Sequence, residues 1–106
     1  MPVHAPIKYK VSCRPVDDVL EEQGISEVDF IKIDVDGVEP KVLRGLTRTI
    51  ERSPSLKMVI EYYPEYIRNA GCNPEECMEI INKYFTYEVI PGDYSDGCWN
   101  YFCQRK

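Results

Sequence analysis

The chain has 106 residues, enough for one domain with one modest core. Hydrophobic residues make up 43% and charged residues 29%, and the formal net charge of −5 argues against a general nucleic-acid binder. No apolar run approaches the roughly 20 residues that span a bilayer, and MPVHAPIKYK lacks the apolar block of a signal peptide. Five cysteines, an odd number, suit a reducing compartment better than a closed disulfide framework, so a cytoplasmic protein without membrane contact is expected.

Residues 1–6 carry two prolines and are expected to be disordered. Ile7 to Cys13 alternates Ile7, Tyr9, Val11 and Cys13 against Lys8, Lys10 and Ser12, the pattern of a half-buried edge strand guarded by lysines. Pro15 opens a short helix whose Val16, Val19 and Leu20 share a face, and Gly24 is placed to end it in the left-handed conformation. Phe30 to Val35 is apolar enough for a strand covered on both faces. Gly37 turns the chain, and Pro40 starts one amphipathic helix marked by Val42, Leu43, Leu46 and Ile50, which stops before Ser53-Pro54. Leu56 to Tyr62 reads as the next buried strand, parallel to the one before it.

A helical turn over Pro64 to Ala70 ends at Gly71. Asn73 then caps a helix begun by Pro74, with Glu76 at the reciprocal capping position and Cys77, Ile80, Ile81, Tyr84 and Phe85 as its buried stripe. Tyr87 to Ile90 is a strand, and a turn from Pro91 to Gly97 leads to a last, antiparallel strand near Trp99 to Gln104. The expected fold is a single α/β domain over 1–106: about four strands with a parallel core, an antiparallel C-terminal strand and helices on the faces.

The carboxylates of FIKIDVDGVEP carry the candidate chemistry. In an open parallel sheet ligands sit at the carboxyl ends of strands. Asp34 ends one strand and Glu61 its neighbour, about 4.8 Å away, close enough to raise one another's pKa and to take a hydroxyl proton or hold a cation. Lys32 lies two residues before Asp34 on the same strand face and could neutralise it as a structural ion pair. Asp36 and Glu39 flank a helix N-terminus, where negative charge is also favoured simply by the helix dipole. A calcium loop fails on register, because setting Gly37 at its obligatory glycine puts Lys32 at the first ligand position and Leu43 where the bidentate glutamate belongs.

The remaining candidates are weaker. Cys72/Cys77 and Cys98/Cys103 have spacings that suggest zinc, but the second pair would face opposite sides of a strand and the first falls on helix-staple positions. Cys13 reads as core. His4 is the only histidine, so no Cys-His or Ser-His nucleophile can be assembled. Tyr62, Tyr63 and Tyr66 follow a buried strand and read as sheet-end packing. No metal site is expected.

Val16-Asp17-Asp18-Val19-Leu20, then Val28-Asp29-Phe30-Ile31-Lys32-Ile33-Asp34-Val35-Asp36-Gly37-Val38-Glu39, Val42-Leu43-Arg44-Gly45 and Val59-Ile60-Glu61 together resemble the C-terminal half of an FkbM-type methyltransferase. In that family the central run reads Lys-Ile-Asp-Val-Glu-Gly-Ala-Glu, so Asp36 and Val38 depart mildly. The resemblance implies a partial doubly wound, Rossmann-like methyltransferase sheet and S-adenosylmethionine as the family's cofactor. Asp34, Glu61, Lys32, Asp36 and Glu39 would be the substrate-side rim. The six glycines, at 24, 37, 45, 71, 92 and 97, never cluster into the glycine-rich loop that such cofactors lie against, so the isolated chain is expected to bind none. Two functions follow: a methyltransferase-related chain that is not self-sufficient, or a non-enzymatic α/β binding or assembly module derived from that fold. The expected partner is a second copy joined through an exposed strand edge, or a separate chain supplying the cofactor half.

Overall fold

The computed structural model describes residues 6–106, so the expectations for residues 1–5, His4 included, lie outside it. In chain order the elements are α1 (Val16–Glu22), β1 (Phe30–Ile33), α2 (Glu39–Arg44), α3 (Thr47–Arg52), β2 (Lys57–Tyr62), α4 (Pro64–Asn69), α5 (Pro74–Tyr84), β3 (Phe85–Val89) and β4 (Trp99–Arg105). The four strands form one mixed sheet in the order β1-β2-β4-β3. β1 and β2 are parallel, with Ile33 beside Ile60. β4 runs antiparallel to both β2 and β3 and separates them. The parallel core is therefore a single pair, and the reversed last strand sits inside the sheet.

Strand periodicity explains where the core lies. Met58 pairs with Cys103 and Ile33 with Ile60, and these side chains share a face with Phe85. Leu43 from α2, Leu46 from the α2–α3 junction and Ile50 from α3, with Cys77 and Ile81 from α5, close over that face. Truncating one of these fully buried aliphatics to alanine costs about 2–5 kcal/mol. Burial also pushes the Cys77 and Cys103 thiols up to about 12. On the opposite face Lys32 and Glu88 are exposed and Val59 and Phe102 only half-buried, so the buried core lies on one face of the sheet. No helix of the described residues is long and apolar enough to cross a membrane.

Several expectations change. Residues 6–15 form no strand, and Ile7, Tyr9 and Val11 are 77–80% exposed. Cys13 is exposed with them rather than core. β1 is shorter than expected and not covered on both faces: Phe30 is 57% exposed. The α1 residue that is buried is Asp17, while Val16 and Val19 stay at the surface.

The single helix expected from Pro40 onward is two helices, and Asp17 supplies the reason. Its backbone amide donates to the Gly45 carbonyl at 2.9 Å. Its carboxylate accepts from the Arg48 amide at 3.1 Å, and from the Thr49 amide and hydroxyl at 2.8 and 2.6 Å. α3 thus starts with its first amides bound to a carboxylate from another helix. Gly45 permits the approach, since a Cβ there would meet Pro15 at 3.2 Å. Arg48 and Arg52 extend the joint by pairing with Asp18 and Glu21, holding Glu21 down at about 2.

The α5 start forms as its sequence indicates, with the Asn73 side chain accepting from the Glu75 amide at 3.0 Å and Pro74 in the first turn. Glu76 does not complete a reciprocal box; it reaches Arg44 on α2 at 2.9 Å instead. Ile80 is packed against the core without being buried in it.

Candidate acidic site at the strand ends

Register places the site. Ile33 and Ile60 are the last pair between β1 and β2; Asp34 follows β1 directly, and Glu61, still paired with Asn100 of β4, stands beside it at the carboxyl end. The chain must then reverse toward α2. Asp36 takes a left-handed φ of 53° and Gly37 a φ of 114°. Aspartate tolerates the left-handed region better than most residues, and at the second position only glycine is unstrained. Gly37 is also held from above, because a Cβ on it would collide with the Tyr66 carbonyl of α4.

Glu39 ties this turn from within. It is 2% exposed. One carboxylate oxygen accepts from the Val35 amide and the other from the Gly37 amide, each at 2.9 Å. Both oxygens thereby hold backbone, and Glu39 lies beneath the rim rather than on it.

With the turn fixed, Asp34, Asp36 and Glu61 each bring a carboxylate oxygen within 4.8 Å of the others. Asp34 and Asp36 are exposed and Glu61 is half-buried. Among the described residues no amide or cation satisfies them as Glu39's two amides satisfy it. Burial first, and then the Asp34 carboxylate, raise the pKa of Glu61, with smaller pushes from Glu39 and Asp36. Such a trio can share a proton, accept one from a hydroxyl, or offer three oxygen ligands to a divalent cation.

Lys32 stays apart. It is exposed on β1 and forms no ion pair among the described residues, so it does not neutralise Asp34. The cysteines bring no zinc set together; all five are free. Cys98, however, is a member of the site's surroundings that its spacing did not reveal. It is 9% exposed, and its pKa is raised by burial and then by Glu61. Only the insertion of β4 beside β2 brings it there, with Trp99, the next residue, opposite Tyr62. Tyr63 and Tyr66 stack at 4.3 Å and Tyr62 and Tyr101 at 5.6 Å, aromatic packing around the strand ends.

Residues 5–89 match the family model of the methyltransferase FkbM domain. No curated protein and no solved structure matches the chain.

Proposed function

The chain belongs to the methyltransferase FkbM domain family, and on that premise we propose that it supplies the acceptor side of an S-adenosylmethionine-dependent methyl transfer, with another polypeptide holding the methyl donor. The observation that carries this reading is the convergence of Asp34, Asp36 and Glu61 at the carboxyl ends of adjacent parallel strands. That is where open α/β sheets place their ligands. On this reading the four strands belong to a partial doubly wound layer.

The described residues do not fit the donor itself. A nucleoside cofactor of this kind lies against bare backbone at a strand end. Gly37 is the glycine in that position, and its bare side is turned onto the Tyr66 carbonyl. Gly45 is turned onto Pro15 and Gly92 onto Tyr94. What these residues can do is proton chemistry. Glu61 has its proton affinity raised by burial and by the Asp34 carboxylate beside it. As an acceptor oxygen is methylated, its hydroxyl proton passes to a carboxylate oxygen of Glu61. Asp36 orients the hydroxyl, or a cation beside it. Glu39 holds the turn and has no free oxygen for substrate. Five unpaired cysteines favour the cytoplasm as the setting.

A second reading, a non-enzymatic binding or assembly module derived from the same fold, is favoured by the same covered glycines. Calorimetric titration of the chain with S-adenosylmethionine tests both readings' shared premise. No heat of binding is expected for the chain alone. Binding in the micromolar range would overturn the assignment of the donor to another polypeptide.

A further inference from the structure

Among the described residues the sheet ends in a strand paired on one side only, and residues 7–13 form an unpaired strand-like segment. β1 bonds to β2 on one side, and among the described residues no strand occupies its other edge. Along that edge runs an apolar groove of about 250 Å³ that includes Val16, Leu20, Val28, Ile31, Val35 and Val42. Edge strands are ordinarily blunted by charge, proline or a bulge. β1 has Lys32 alone.

Residues 7–13 have the complementary character. Ile7, Tyr9 and Val11 are 77%, 80% and 79% exposed and alternate with Lys8 and Lys10. Seven residues in extended form reach roughly 23 Å, more than the length of β1. Charge favours the match as well. The segment around β1 carries Glu27, Asp29, Asp34 and Asp36 against Lys32, whereas residues 7–13 carry two lysines and no acid.

We propose that two copies of this chain exchange residues 7–13, each segment adding as a fifth strand to the β1 edge of the other copy. Ile7, Tyr9 and Val11 enter the groove, and Lys8 and Lys10 lie on the open face near Asp34. A second copy is the occupant because within one chain the segment stands away from the sheet with its apolar side chains in solvent. The exchange stands independently of the methyltransferase reading.

Light scattering on the intact chain across a wide concentration range, with hydrogen exchange on the same samples, tests it. The expected mass is twice the 12.3 kDa of one chain, with slowed exchange at residues 7–13 and at the β1 amides. The double variant Tyr9→Lys with Val11→Lys should be monomeric, still unfolding in one cooperative transition because both positions lie outside the core. A monomer with unprotected residues 7–13 overturns the proposal. So does a monomer in which they are protected, which would mean pairing within one chain. A dimer that persists in the double variant places the interface elsewhere and overturns it too.

Discussion

Two sets of carboxylates in this small domain meet opposite fates. Asp17 and Glu39 are buried to 1% and 2% exposure, and their oxygens are taken up by backbone amides and the Thr49 hydroxyl. Asp34, Asp36 and Glu61 are more exposed, face one another within 4.8 Å, and receive no comparable donors among the described residues. The first set builds the fold: Asp17 divides one helical pattern into α2 and α3, and Glu39 shapes the turn that positions Asp34 and Asp36. The second set is left with its oxygens directed at a shared space. A carboxylate satisfied by backbone has little left for a ligand, whereas mutually repelling carboxylates at a strand end have capacity for a proton or a cation.

Substitutions sharpen that contrast. The largest effect is expected at the turn beneath both sets: Gly37→Ala combines a left-handed backbone with a collision against Tyr66 and should cost roughly 3–5 kcal/mol, read as a large drop in denaturation midpoint. Asp17→Ala leaves the Thr49 hydroxyl and two α3 amides without their acceptor. A loss of about 2–3 kcal/mol is expected, or about 10–15 °C in melting temperature. Glu39→Ala should cost about 1–2 kcal/mol, with loss of exchange protection at the Val35 and Gly37 amides.

The rim should behave in the opposite sense. Folded Glu61 holds its proton more tightly than the unfolded chain does, so its contribution to stability falls as pH rises from the ordinary glutamate range through its raised value, and is flat above it. Glu61→Gln removes that decline and should leave the protein slightly more stable at neutral pH. Thermal melts of both proteins across pH would show the curves separating on the alkaline side. A loss of stability comparable to that of Asp17→Ala would place Glu61 among the structural carboxylates.

Local signals account for what was legible in the sequence. Asn73-Pro74 marked the start of α5, Gly24 and Gly71 marked helix ends, and both take positive φ. The α/β class and the antiparallel last strand followed from strand and helix periodicity. Neighbouring strand ends put Asp34 beside Glu61 because parallel register needs only two apolar runs and a crossover. Long-range effects were invisible. The break at Gly45-Leu46 depends on Asp17, about 30 residues earlier on a helix whose docking no periodicity announces. Residues 7–13 have a strand's alternation, but no strand among the described residues pairs with them, and pairing is a property of two segments. Cys98 joined the site only through the placement of β4 in the middle of the sheet.

The most direct measurement is a carbon-detected NMR titration of the Glu61 carboxyl in the wild-type chain and in Asp34→Asn. Glu61 should titrate above its ordinary value of 4.5 and move back toward it when the Asp34 charge is removed. An ordinary value in both proteins, or a raised value that Asp34→Asn leaves unchanged, would contradict the existence of a coupled carboxyl pair at the strand ends.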